Sequence, residues 1–123
     1  MKTKRILKFY YSKEDDILSG FVPSKRIKEA IEINNLITIS FDKNMGFRGF
    51  EIFNASQFFS ALNSKVDAAF LSSLKSVEAY LADLSGNLFI AIVLVSKDNI
   101  SIQQPLPLVN TKNFESPLIA SVS

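Results

Sequence analysis

The sequence contains no cysteine, no histidine and no tryptophan, and only four glycines and four prolines among 123 residues. Without Cys or His there is no disulfide, thiol nucleophile, Cys/His zinc site, haem held by either side chain, or Ser-His-Asp triad. The reactive groups that remain are carboxylates, lysines, serines and tyrosines, and no nucleophile–base pair stands out among them. The expectation is therefore a protein that is not an enzyme and holds no cofactor. Long apolar runs are also missing. The longest, residues 88–95, has eight residues, far short of the roughly 20 a helix needs to cross a bilayer. Nor is there much charge of one sign: 14 Lys and Arg against 12 Asp and Glu leave +2, a weak excess for a nucleic-acid-binding domain. The basic start is not followed by the apolar stretch of a secretory signal. A cytoplasmic protein without membrane attachment is expected.

What is present is a chain with 47% hydrophobic and 21% charged residues, enough to bury one core in one domain. Period-two alternation and turn residues place strands at 5–11, 17–22, 29–33, 36–41 and 47–53; the segment 24–33 also fits a helix, with strand preferred for 29–33. Asn54 followed by Gln57 reads as an N-cap with a capping-box partner, opening a short helix over 55–62. Ser64 with Asp67 repeats the signal, and the stripe Val66, Ala69, Phe70, Leu74 extends a second helix to about residue 75. Residues 77–84 and 88–95 then form a hairpin, with a short strand at 100–103. Both faces of 88–95 are apolar, so that strand needs cover on two sides. From Pro105 onward three prolines and scattered apolar residues fit neither period. The fold class expected is α+β: an antiparallel β-sheet, two short central helices and a C-terminal β-hairpin unit followed by an extended arm. Residues 1–104 make the single domain (sheet over 1–56, helices over 57–75, hairpin unit over 76–104), and 105–123 make the arm.

Part of the chain resembles a known family. Tyr11-Ser12-Lys13-Glu14-Asp15-Asp16-Ile17-Leu18, then residues 37–42, then Gly49-Phe50-Glu51-Ile52-Phe53-Asn54-Ala55-Ser56 resemble the small uncharacterised prokaryotic domains of the domain-of-unknown-function family 2283. Asp16 and Leu18 match its opening turn, where Ser12 stands in place of the usual Asp. Gly49, Glu51, Ile52, Ala55 and Ser56 match its closing motif. The likeness spans about residues 8–56 and implies a compact antiparallel sheet but no activity. Read physically, Gly49 marks a bulge or a close approach, Glu51 is a sheet carboxylate, and Asn54 and Ser56 cap the helix. The run Glu14-Asp15-Asp16 has the oxygen ligands a hard cation favours, but such a run is more often a solvated turn, so no metal is expected.

Function is expected through contacts. Phe supplies 11 of the 14 aromatic residues, and Phe47, Phe50 and Phe53 cannot all point to one side of a regular strand. With Phe114, Leu118 and Ile119 of the arm, they are the candidate oligomer or partner contacts. A homo-oligomer, most simply a dimer, or a place in another protein or ribonucleoprotein assembly follows. The function expected is a non-catalytic interaction module serving as subunit, adaptor or inhibitor. The alternative is a nucleic-acid-binding accessory protein, using Lys2, Lys4, Arg5 and Lys8 with Lys25, Arg26 and Lys28 beside Phe9, Tyr10 and Tyr11.

Overall fold

A computed structural model describes residues 2–23, 29–33, 35–42, 46–84, 86–106 and 109–110. The chain runs β1 (Lys2–Ser12), β2 (Ile17–Phe21), β3 (Glu29–Glu32), β4 (Ile37–Phe41), β5 (Phe47–Phe53), α1 (Ala55–Leu62), α2 (Ala68–Ser72), β6 (Leu74–Leu84), β7 (Asn87–Ser96), β8 (Ser101–Pro105) and β9 (Val109–Asn110). All pairings are antiparallel, in the order β3-β4-β5-β2-β1-β6-β7-β8, with β9 also on β7. The expected mostly antiparallel sheet with two short helices is present. Among the described residues no helix is long and apolar enough to cross a membrane.

The long first strand joins two halves of the sheet. Residues 2–7 pair with β6, from Lys2 opposite Ala82 to Leu7 opposite Val77. Residues 8–12 pair with β2, from Lys8 opposite Phe21 to Ser12 opposite Ile17. One core spans both halves: Leu18, Ile37, Ile39, Phe41 and Ile52 from the first, Val77, Ala79, Ile92 and Leu94 from the second, with Leu7 between them. Phe59 of α1, Val66, and Phe70 and Leu71 of α2 belong to the same cluster, so the helices cover the inner face. Fully burying such a side chain stabilises the fold by about 1.5–3 kcal/mol.

Several sequence expectations are corrected. Phe47 and Phe50, three apart, both point inward because the β4–β5 register slips: Ser40 pairs with Gly49 but Phe41 with Phe47. The extra residue, Arg48, makes a bulge that restores Phe47 to the core side. Gly49 beside it answers a close approach, since a Cβ there would sit 2.5 Å from the Gly20 carbonyl oxygen. The second helix is five residues rather than a run to residue 75; Asp67 is its cap, accepting the Phe70 N–H at 2.9 Å. Val66, Phe70 and Leu74 are buried as the stripe implied, but Leu74 already belongs to β6 and Ala69 is exposed. Of the expected arm over 105–123, only residues 105–106 and 109–110 are described, and they lie against the sheet. Pro105 pairs with Ala91, Leu106 is buried and donates its N–H to Ile90 C=O at 2.8 Å, and β9 continues along β7.

Candidate functional site

Two places gather chemistry. The first is the β1–β2 turn. Asp16 sits in the left-handed region at φ 56°, which short polar residues tolerate, and this turns its side chain inward. The Tyr11 hydroxyl donates to Asp16 Oδ1 at 2.6 Å, the Ser56 N–H donates to the same oxygen at 2.9 Å, and the Ser56 hydroxyl donates to Oδ2 at 2.7 Å. Asp16 C=O accepts the Ala55 N–H at 2.9 Å. Asp16 thus caps α1 from 40 residues away. The expected cap, Asn54, makes no side-chain cap bond because it lies at φ 51°, whereas a capping residue needs extended backbone to reach the next N–H groups. Ser56 contributes as a donor to Asp16 rather than as a cap.

Electrostatics make this cluster a fastener. Burial acts to raise the Asp16 pKa, but the hydrogen bonds from Tyr11 and Ser56 outweigh it and hold the carboxyl below its usual 3.8. Burial, with the bond to Asp16 and its charge, pushes the Tyr11 hydroxyl well above its usual 10. A carboxylate so stabilised is a weak base, and its donors stay protonated at neutral pH. The acidic run divides around it: Glu14 and Asp15 are exposed, with Asp15 N–H bonded to Ser12 Oγ at 3.2 Å. Among the described residues no three acidic side chains converge on a metal position.

The expected basic surface is described only in part. Lys4, Arg5 and Lys8 are exposed, but Lys4 Nζ lies 3.4 Å from Glu78. Only the backbone of Lys2 is described, and Lys25, Arg26 and Lys28 lie outside the described residues, as do Phe114, Leu118 and Ile119. Among the aromatic candidates, Phe47 and Phe50 are 5% and 3% exposed, so their apolar contacts are made within the chain. Phe53 alternates to the outer face with Glu51 and is half-buried. Arg48, which sequence reasoning missed, is buried in the bulge. Its Nε donates to Phe47 C=O at 2.8 Å and lies 3.7 Å from Asp42, while Nη1 has no hydrogen bond among the described residues.

The second place is the outer face of β6, β7 and β8. Cross-strand pairs Tyr80–Ala91, Ala82–Phe89, Val93–Gln103 and Ala91–Pro105 line a groove of about 560 Å³ there. Val93 is only 9% exposed yet lies outside the core cluster, on the groove side of its strand, and Phe89 is 45% exposed. Phe89, Ala91 and Val93 belong to the second apolar face that the sequence showed in 88–95, of which Phe89 stays exposed while Val93 does not; Tyr80 and Gln103 were not singled out. A smaller depression beside α1 is lined by Leu36, Phe58, Ala61 and Leu62. No curated protein and no solved structure matches the chain. Residues 8–56 match the family model described as a protein of unknown function, DUF2283, so the Asp16–Ser56 fastener lies inside the matched segment and the groove outside it.

Proposed function

We propose that the protein is a non-catalytic interaction module, a subunit, adaptor or inhibitor that works by binding another polypeptide on the outer face of β6–β8. The observation that supports this is the groove. A small sheet layer has its inner side sealed by Ile90, Ile92 and Leu94, while its outer side presents Phe89, Tyr80, Ala91 and Pro105 with a polar rim of Ser101 and Gln103. An apolar patch rimmed by polar groups is the usual form of a protein-binding surface. The experiment is affinity capture from native cell extract with and without nuclease, comparing the wild type with Phe89→Glu. Nuclease-resistant capture that Phe89→Glu abolishes supports the reading. Capture that the substitution leaves unchanged overturns it.

A second reading, binding of nucleic acid, is favoured by the exposed face of β1 and β2. Tyr10 and Phe21 are 67% and 43% exposed, with Lys8 directly opposite Phe21, an arrangement suited to stacking bases beside a cation. Glu78 and Glu51 on neighbouring strands dilute its charge. Binding that falls steeply with salt and is lost in Tyr10→Ala would select this reading over the first.

A further inference from the structure

The two edges of the sheet differ in chemistry. At one, β3 is four residues long and carries Glu29 and Glu32, the short charged edge that resists pairing with another chain. At the other, β8 has no charge, and neither has any position from Asn99 to Thr111. The register shows where its backbone points. Ser96 N–H bonds to Ile100 C=O at 2.9 Å and Leu106 N–H to Ile90 C=O at 2.8 Å, so along the β7–β8 register the even-numbered residues address β7. Because an antiparallel ladder alternates, Ser101, Gln103 and Pro105 turn their backbone groups outward. Pro105 has no N–H, and its carbonyl accepts the Gln104 side-chain amide at 2.9 Å, which closes that end. Among the described residues two donors and two acceptors stay open, on Ser101 and Gln103.

We infer that this edge is completed by β8 of a second copy, antiparallel about a two-fold axis at Ile102, with Ser101 of each chain exchanging both backbone bonds with Gln103 of the other. This rests on the proposed interaction reading and adds to the groove a self-pairing edge beside it. Open groups two residues apart form their own complement when the strand is reversed. A two-fold interface sets each patch against its own copy, so an edge bearing charge near the axis would repel itself; this one has none. Ile102, half-buried, meets its symmetry mate at a non-hydrogen-bonded position, where Cα atoms come within about 4.5 Å and side chains are closest. Ile100, 48% exposed on the same face, extends the apolar seam. Because Ser101 and Gln103 also line the groove, the two grooves meet at the axis.

The absence of native cysteine makes single-cysteine variants clean reporters of this register. Ile102→Cys should form an interchain disulfide almost completely under mild oxidation, since facing non-hydrogen-bonded residues lie within disulfide range. Asp98→Cys, exposed and four residues from the axis, should stay unlinked. Light scattering of the wild type should give twice the 13.7 kDa chain mass, and Ile100→Lys, at an exposed position, should halve it with an unchanged circular dichroism spectrum. A wild type of one-chain mass at all concentrations, or equal cross-linking from both cysteine variants, overturns the pairing. If that one-chain protein still captures another protein in a way Phe89→Glu abolishes, only the pairing falls; if capture ignores Phe89→Glu, the interaction reading falls as well.

Discussion

Asp16 and Gly49 show how single positions hold the first half of the sheet together. Asp16→Asn is the informative change, because Asn tolerates the left-handed backbone at φ 56° and so leaves the turn intact while removing the charge. It replaces one of the two carboxylate oxygens that together accept three hydrogen bonds with a donor amide and should destabilise by about 1–3 kcal/mol, read as a fall in the urea midpoint. The pH dependence has a definite sign. A carboxyl whose folded pKa lies below its unfolded value of 3.8 contributes fully above that value and loses its contribution as pH falls through the folded pKa. The gap between wild type and Asp16→Asn should therefore be constant at neutral pH and narrow below about pH 4. Gly49 has a different constraint. Its added Cβ would meet the Gly20 carbonyl oxygen at 2.5 Å and Phe21 Cα at 3.1 Å, and backbone cannot swing aside as a side chain does. Gly49→Ala should cost roughly 1–3 kcal/mol in thermal or urea unfolding, the usual range for overpacking.

At the level of elements, β7 is the most informative, because its two faces serve different purposes. Leu88, Ile90, Ile92 and Leu94 face the core, while Phe89, Ala91 and Val93 face the groove. The opposite faces of one strand therefore predict opposite outcomes. Ile92→Ala should lower stability by about 2–5 kcal/mol, the cost of a cavity at a fully buried site. Phe89→Ser, on a side chain 45% exposed, should change it by less than about 0.5 kcal/mol while altering binding. Chemical denaturation of the two variants side by side tests this. Equal losses would show that the outer face is packed like the inner one. The short α2 has the converse lesson: Asp67 starts it and the Ser73 N–H bond to Phe70 C=O at 3.0 Å ends it, because Leu74 is already taken into the β6 ladder.

At the scale of the whole molecule, β1 unites the halves, and Leu106 and β9 belong to the fold. Truncation after Gln104 removes the buried Leu106, its bond to Ile90 and the β9 pairing. It should lower the melting temperature, by the equivalent of roughly 1.5–3 kcal/mol for the side chain alone; an unchanged melting temperature would place this stretch outside the cooperative unit. The strand at Phe47–Phe53 and the helix at Ala55–Leu62 were legible at their observed bounds, because alternation and turn residues act over a few neighbours in the chain. The two apolar faces of β7 were likewise legible, although which would meet the core was not. What only the tertiary structure decided depends on residues far apart. Asp16 rather than Asn54 caps α1, since the turn that carries it is brought against Ser56 across 40 residues. Phe47 turns inward because the bulge at Arg48 slips the register against β4. The groove exists because β6 and β8 flank the outer face of β7. Local sequence determines which face of an element is apolar; only the packing of distant elements determines which apolar faces are covered and which remain open to a partner.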